Sequence, residues 1–312
     1  MSQMKKRTLA DYFVVSLKGI AMGAADVVPG VSGGTIAFIS GIYQELLSSI
    51  SSFDLSLIKE LKQSGFKSVW EKINGNFLAS LFIGIAISVA SLAKIISWML
   101  DNHPVQLWSF FFGLVLASVV YIGKQIGKID FKKVLFFVVG AGLALWITML
   151  KPLVTDNTSM LFLFIAGALA ICAMILPGIS GAFILVLLGA YKPILEAVHS
   201  RDLKIIAVVG AGAVIGLLIF SKILKWLFSK YEQLTLAVLC GFIFGSLNKI
   251  WPWKKVLETK TIEEKTIVLR EQSVLPSQFE GEPQLLTAIL LMCVGFCLIL
   301  LLEKIASKSN GR

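Results

Sequence analysis

Two short runs of Pro, Gly and Ser interrupt otherwise apolar sequence, and both follow one pattern. The first run contains Pro29, Gly30, Ser32, Gly33, Gly34 and Thr35, and the second contains Pro177, Gly178, Ser180 and Gly181. Proline ends a helix, glycine tolerates a positive φ, and serine caps the helix that follows. Each run therefore predicts a turn that leaves backbone N–H groups uncovered at the positive end of a half-helix. Such a turn can bind an anion such as phosphate.

A simpler interpretation of both turns is close packing. Small residues in membrane helices often serve only to let two backbones approach each other. Two copies of one motif at matching positions, both in apolar surroundings, favour a binding site instead. We expect the two half-helix N-termini to converge and to hold one phosphate between them.

A carboxylate lies one turn before the first run, at Asp26, where the second copy has Met174. An acid at membrane depth costs about 2.5 to 3.5 kcal/mol on insertion scales, so a functional role is the default expectation. Asp26 would bind a coupling ion, either a proton or a sodium ion, or order the binding turn. The alternative is a structural helix cap or a hydrogen bond across the hairpin.

Lys94 and Lys222 occupy matching positions near the ends of two apolar segments. One interpretation is that their side chains only extend toward the lipid headgroups. Their symmetric placement indicates another role, in which one lysine lies near each mouth of a pathway and gates the entry of a phosphate.

The chain contains an internal repeat. The first run aligns with the second at an offset of 148 (177 minus 29), and this offset also pairs Gly41 with Gly189. Downstream the offset becomes 128 (222 minus 94). It pairs Gly84 with Gly212, Lys94 with Lys222, Trp98 with Trp226, Gly113 with Gly241 and Ser118 with Ser246. The sequence predicts two copies of one unit, residues 9–150 and 160–305, with a longer connector in the first.

The composition is that of a membrane protein. The mean hydropathy is +0.83, and 15% of the 312 residues are charged, against about 25% in soluble domains. The net charge of +10 does not indicate nucleic acid, because Lys and Arg lie mainly at the ends of apolar segments, where they meet the headgroups of membrane lipids. We expect a single membrane domain, residues 1–312. Its basic N-terminus is interpreted as structural and not as a signal peptide, because Lys18 interrupts the apolar stretch and the stretch recurs later.

Six segments are long and apolar enough to cross a bilayer, which takes about 20 residues. They cover residues 77–100, 105–123, 134–150, 205–228, 234–250 and 285–304. Residues 9–50 and 160–198 are interrupted hairpins of shorter helices, which membranes tolerate only where protein or water satisfies the open backbone. The predicted fold is an all-α polytopic membrane protein with two inverted-topology repeats, each with one re-entrant hairpin and three transmembrane helices. The alternative in which each hairpin crosses fully as two short helices stays open, since it also returns the chain to its starting side.

The charges also predict the orientation. The positive-inside rule places the N-terminus, the C-terminus and the basic loop 124–133 in the cytoplasm. An odd number of crossings in each unit then inverts the second copy. Residues 251–284 form an extracytoplasmic loop in this topology.

The four cysteines fall within apolar segments, at Cys172, Cys240, Cys293 and Cys297. We interpret them as small buried side chains and not as a disulfide framework or a metal site. No cofactor and no catalytic residue is expected.

Both motifs, with the residues around them, resemble a known family. Residues 23–37 (GAADVVPGVSGGTIA) and 170–181 (AICAMILPGISG) are similar to the bacterial polyprenyl-phosphate transporter family, formerly a membrane family of unknown function. The likeness covers most of the chain. It implies a flippase-type transporter of the bacterial plasma membrane, which returns undecaprenyl phosphate, the lipid carrier of cell-wall polymers, from the outer to the cytoplasmic leaflet. The family's motif positions correspond to Asp26, Pro29, Gly30, Ser32, Gly33, Gly34, Thr35, Pro177, Gly178, Ser180 and Gly181.

Two alternatives stay open. Undecaprenyl pyrophosphate phosphatases carry a similar Pro-Gly-x-Ser turn, but theirs continues with Arg where this chain has Gly33, and a second motif supplies Glu and His. Phosphoryl transfer needs such groups, and neither His103 nor His199 lies in a motif, so we expect a transporter and not an enzyme. The other alternative is a transporter or channel for a different anion.

Overall fold

The computed structural model describes residues 7–28, 31–54, 56–153, 159–262 and 265–310, and of these 259–270 and 302–310 by their backbone only. Within these ranges the helices are α1 (Leu9–Val27), α2 (Gly33–Ile39), α3 (Tyr43–Ser51), α4 (Ser56–Lys72), α5 (Gly75–Asn102), α6 (Pro104–Gln125), α7 (Phe131–Met149), α8 (Met160–Ile175), α9 (Gly181–Leu187), α10 (Tyr191–His199), α11 (Leu203–Ser246) and α12 (Leu285–Asn310). Two strands, β1 (Lys254–Ile262) and β2 (Lys265–Ser273), pair antiparallel.

The bundle is that of a multi-pass membrane protein. Four helices, α5, α6, α7 and α11, are long and apolar enough to cross a membrane, and the bent pair α9 and α10 would make a fifth. The apolar part of α12 is slightly shorter, over Leu285–Leu301. The predicted class, an all-α polytopic membrane protein, is confirmed.

Helix α11 contains both spans predicted between residues 205 and 250. Its 44 residues would extend about 66 Å if straight, twice the roughly 30 Å of a bilayer core. The backbone leaves helical geometry at Tyr231 (φ −136°, ψ 43°). Beyond the end of α11, the Asn248 amide donates to the Thr148 hydroxyl at the end of α7 (3.3 Å). The helix starts beside α10, near the connection between α7 and α8. The first and last residues of α11 therefore lie at the same end of the bundle, and Tyr231 lies at the opposite end of the bundle.

Both interrupted hairpins return to the side from which they start. Arg7, before α1, forms an ion pair with Glu45 in α3, and the Lys18 ammonium donates to the backbone oxygen of Ser40 (2.7 Å). In the second hairpin the Leu153 N–H, before α8, donates to the oxygen of Leu187 at the end of α9 (2.8 Å). A re-entrant element and a hairpin of two full crossings both return in this way, and the re-entrant form stays a prediction.

The two ends of the bundle differ in what they carry. We call one the basic end, because it holds Arg7, the loop 124–133 and the Tyr231 break. Gln44 and Glu232 make contact there (3.3 Å). The other end carries β1 and β2, and we call it the strand end.

Equivalent glycines allow α1 to cross α5 and α8 to cross α11. A Cβ atom on Gly19 would clash with the carbonyl oxygen of Leu81. A Cβ atom on Gly167 would likewise clash with the carbonyl oxygen of Val209. The offset of 148 relates Gly19 to Gly167, and the offset of 128 relates Leu81 to Val209. The repeat found in the sequence therefore reappears in these contacts.

A second pair of crossings repeats in the same way, between α6 and α12 and between α7 and α11. A Cβ atom on Gly113 would clash with the carbonyl oxygen of Met292, and a Cβ atom on Gly241 would clash with that of Phe137. These contacts support two copies of one unit. Their inverted orientation in a membrane stays a prediction.

Two elements were not foreseen from the sequence. Helix α4 lies in the first-half connector; it bends at Gly65 (φ 76°), and none of its described residues is buried. Strands β1 and β2 lie in the predicted extracytoplasmic loop.

The expectation that all four cysteines are buried is wrong for two of them. Cys240 is buried and Cys172 half-buried, but Cys293 and Cys297 are exposed on α12. A membrane helix turns apolar side chains toward lipid as readily as toward protein, so an apolar segment does not by itself imply burial.

Candidate functional site

The two motif turns meet inside the bundle. The Ser32 hydroxyl donates to the backbone oxygen of Met174 (3.0 Å), with the oxygen of Leu176 at 3.3 Å. In the opposite direction the Gly178 N–H donates to the Thr35 hydroxyl oxygen (2.9 Å). The turns were predicted to converge on an anion between them. In this structure they bond directly to each other.

Close packing at this contact depends on a glycine. A Cβ atom on Gly34 would lie 2.5 Å from the backbone oxygen of Ile175. Ser32, Thr35 and Ser180 are all buried. The packing interpretation of the small residues therefore holds for this contact, and it does not exclude a binding role for the rest of the motif.

The first turn is closed by the protein's own groups. A carboxylate oxygen of Asp26 accepts a hydrogen bond from the Gly33 N–H (2.7 Å), and the Ser32 hydroxyl accepts one from the Gly34 N–H (3.1 Å). Asp26 thus acts as a helix cap for α2. Pro29 and Gly30 of this turn lie outside the described residues.

The second turn is open by comparison, in that no side chain among the described residues engages the backbone N–H groups that begin α9. Ser180 is the N-cap residue of α9, yet no side chain among the described residues caps this helix. Met174 replaces Asp26 and is 39% exposed, and Ala182 in the first turn of α9 is exposed as well. The residues of the turn from Pro177 to Gly181 are themselves buried, and the exposed residues Met174 and Ala182 lie on either side of them in the sequence.

The backbone of the second turn has the predicted geometry. Gly178 adopts a positive φ of 98°, which glycine adopts without strain. A Cβ atom there would lie 2.8 Å from the Ser246 hydroxyl, so α11 covers this side of the turn. Pro177 is fully buried.

The two predicted lysines lie away from the turns. Lys94 on α5 and Lys222 on α11 are both exposed, and they lie toward the strand end and the basic end respectively. Neither contacts a motif turn within the described part of the chain. Lys222 lines a cleft together with Ser51, Lys225, Trp226 and Ser229.

Sequence reasoning missed a charged cluster at the strand end. The Glu271 carboxylate accepts from the ammonium groups of Lys249 (2.7 Å) and Lys254 (2.9 Å). Burial lowers the pKa of Lys254 to about 8, although Glu271 opposes the shift. Burial acts to raise the pKa of Glu271, but the two lysines outweigh it and the pKa lies below its ordinary value. Lys249 also lies over the ring of Phe183 (4.8 Å), so the cluster touches α9.

Metal binding finds no support in the part of the chain that the structure describes. No group of three or more His, Cys, Asp or Glu side chains there could hold a metal ion. The buried polar groups of the turns are serine, threonine and backbone, which suits an anion better than a metal.

Comparisons with known proteins point to one family. The polyprenyl-phosphate transporter of Vibrio cholerae serotype O1 is 50% identical over 303 residues, covering 96% of this chain and 98% of that protein. The polyprenyl-phosphate transporter of Staphylococcus aureus is 33% identical over 253 residues, covering 76% of this chain and 85% of that protein. No solved structure matches the chain significantly. A family model described as undecaprenyl phosphate translocase-like matches residues 22–268, and the chain belongs to this family.

Proposed function

We propose that this protein carries undecaprenyl phosphate from the outer to the cytoplasmic leaflet of the bacterial plasma membrane. The names of both relatives support a transporter of polyprenyl phosphate and not a phosphatase. The observation that carries the proposal is the contact between two half-helix turns inside an apolar bundle, at Ser32, Thr35 and Gly178.

The phosphate would bind at these turns, beginning with the open one. Backbone N–H groups at the start of α9 face no capping side chain among the described residues, and such groups suit an anion. The first turn would contribute its N–H groups once Asp26 or Ser32 releases them. The proposed phosphate-binding residues are Pro29, Gly30, Ser32, Gly33, Gly34, Thr35, Pro177, Gly178, Ser180 and Gly181.

The isoprenoid tail needs no polar pathway. Met174 and Ala182, beside the second turn, are exposed on a surface rich in apolar side chains. A phosphate head could reach the turn from this side while its tail stays in lipid. A hydrophilic solute would instead need a wide polar cavity.

Asp26 is the proposed coupling residue, for a proton or a sodium ion. Its carboxylate holds the Gly33 N–H, so neutralising or coordinating it would change how firmly α2 is capped. Lys94 and Lys222 are proposed to act at the two mouths of the pathway, where a cation attracts a phosphate head.

Transport in proteoliposomes tests the function. Purified protein should move labelled undecaprenyl phosphate between leaflets faster than protein-free vesicles, and it should release no phosphate from undecaprenyl pyrophosphate. Phosphate release would establish the enzyme alternative. Transport of inorganic phosphate without movement of the lipid would establish the alternative of a different anion.

The membrane topology is a further part of the proposal. Residues 9–150 and 160–305 would form the inverted repeats, with the basic end and both termini in the cytoplasm and residues 251–284 outside. Impermeant thiol reagents should label a single cysteine at position 265, and not one at position 128, in intact spheroplasts. Labelling of both positions from the same side would contradict the inverted arrangement.

A further inference from the structure

A cleft at the basic end is lined by residues that the proposed turns do not use. It measures about 280 Å³ and is lined by Ser51, Lys222, Lys225, Trp226 and Ser229. We call it the basic cleft. Four of its residues come from the last turns of α11 before the break at Tyr231, and Ser51 comes from the end of α3.

The spacing on α11 explains how the cleft forms. Positions 222, 225, 226 and 229 follow the i, i+3, i+4, i+7 pattern, so their side chains share one face of the helix. Two ammonium groups therefore lie on the same side. The hydroxyls of Ser51 and Ser229 donate to carbonyl oxygens of their own helices, and each could turn toward a stronger acceptor in the cleft. Lys230 lies over the ring of Trp226 (5.5 Å), which helps to fix the indole beside the cleft.

The charge of the basic cleft is not balanced from within. Among the described residues no carboxylate lines it, and neither Lys222 nor Lys225 forms an ion pair with another of them. The nearby Asp54 carboxylate is not among the residues that line the cleft, and it accepts a hydrogen bond from the Ser56 N–H (2.8 Å). Two cations with two hydroxyls beside them suit an anion with several oxygens.

The repeat provides a comparison at the opposite end. The positions that the repeat makes equivalent to the five that line the cleft are, in the same order, His199, Lys94, Ser97, Trp98 and Asp101. One of the two lysines is replaced by serine, and one hydroxyl is replaced by a carboxylate, which repels phosphate. Of these two sets of equivalent positions, one carries the pair of lysines and the other does not, so the repeat does not impose the pair.

We propose that the basic cleft binds the phosphate group of a lipid whose tail lies in the adjoining leaflet. Trp226 fits this position, because its ring accepts an apolar neighbour on one side and interfacial water on the other. The lipid is either the transported polyprenyl phosphate or an anionic phospholipid of the bilayer, and the two share the phosphate chemistry. The first case rests on the proposed function and makes the basic cleft the docking site of the head at the basic end.

Equilibrium binding to the purified full-length protein tests the inference. The probes are undecaprenyl phosphate, phosphatidylglycerol and inorganic phosphate. The double variant Lys222→Gln/Lys225→Gln should bind the lipid probes at least about ten-fold more weakly, because two charge-assisted hydrogen bonds are lost. Lys124→Gln/Lys128→Gln removes the same charge from the same end and should bind as the wild type does.

A second variant keeps the test valid if the double variant folds poorly. Ser229 is exposed, and Ser229→Asp places a carboxylate beside both lysines with little effect on packing. It should weaken lipid binding to a similar extent. Wild-type affinity in a well-folded Ser229→Asp or Lys222→Gln/Lys225→Gln protein would overturn the proposal, as would an equal loss in the control pair.

The two lipid probes separate the sources of the phosphate. Preference for undecaprenyl phosphate over phosphatidylglycerol assigns the basic cleft to the transported lipid, and equal affinity assigns it to phospholipid in general. Binding of phospholipid by a protein that moves no undecaprenyl phosphate would reject the proposed function and keep the cleft. Transport with unchanged binding in the cleft variants would reject the cleft and keep the function.

Discussion

The two motif turns share a sequence pattern but differ in whether their backbone donors are engaged. In the first, Asp26 and Ser32 hold the N–H groups of Gly33 and Gly34. In the second, Ser180 leaves α9 uncapped among the described residues. The difference arises outside the core of the motif, because the residue that closes the first turn lies six positions before Ser32 and is a methionine in the second copy.

This difference supports separate roles for the two copies. The open turn is suited to receive a phosphate, while the closed turn already holds an anionic group of the protein itself. A carboxylate and a phosphate compete for the same kind of donor. We infer that the first turn is where coupling acts and the second is where the substrate head first binds.

The largest expected effect comes from the glycine between the turns. Gly34→Ala places a Cβ atom 2.5 Å from the Ile175 oxygen and should separate the turns, at a cost of about 2 kcal/mol or more. The melting temperature and the amount of protein in the membrane should both fall. Ala182 is the equivalent residue and is exposed, so Ala182→Gly should change both quantities only slightly. If Gly34→Ala changes the melting temperature and the amount of protein as little as Ala182→Gly does, the contact between the turns contributes little to stability.

The next effect tests whether a carboxylate is enough to close a turn. Met174→Asp should give the second turn the acid of the first and weaken binding of undecaprenyl phosphate about ten-fold. Met174→Asn, of similar shape and without the charge, should weaken it much less. If both variants reduce binding equally, polarity at this position matters and charge competition does not.

Asp26→Asn is expected to change ion dependence more than stability. The amide oxygen can still accept from the Gly33 N–H, so the fold should be retained within about 1 kcal/mol. Transport rates in proteoliposomes should lose their dependence on pH or on sodium. Asp130 caps α7 in the same way, through the Lys133 N–H (2.9 Å), and Asp130→Asn should leave that dependence intact. Unchanged ion dependence in Asp26→Asn would make Asp26 a structural cap only.

The smallest effect compares the two serines. Ser32→Ala loses bonds to both turns and should lower stability by about 1 kcal/mol. Ser180→Ala removes no capping bond within the described residues and should cost only a few tenths, while still reducing phosphate binding if Ser180 contributes a donor. Melting temperature and binding affinity, measured on the same two proteins, separate these contributions.

Sequence reasoning succeeded where local pattern determines structure. Residue spacing was enough to predict the apolar segments, the positive φ of Gly178 and the two offsets between equivalent glycines of the two copies. Each of these depends on the period of a helix or on the backbone freedom of one residue. The same reasoning did not decide whether Asp26 was a cap or an ion ligand, and it did not foresee that Ser32 and Thr35 bond to the other turn. Those outcomes depend on how two distant segments meet.

The strand end was missed for a related reason. Strands β1 and β2 have only a weak alternating pattern within a charged loop, although their Thr, Ile and Val content was a usable signal. The cluster of Lys249, Lys254 and Glu271 could not be inferred from spacing, since its members come together only through strand pairing and contact with α9.

The glycine crossings also bear on how the molecule can move. Two backbones touch without intervening side chains where Gly19 meets Leu81 and where Gly167 meets Val209. The paired helices therefore have little freedom to move relative to each other. The first helix of each interrupted hairpin is then tied to one spanning helix as a rigid body. Opening the turns toward one leaflet should rotate α1 together with α5, or α8 together with the first part of α11. The hydrogen bonds of Ser32 and Thr35 lie at the boundary between those bodies, where a hinge would have to yield.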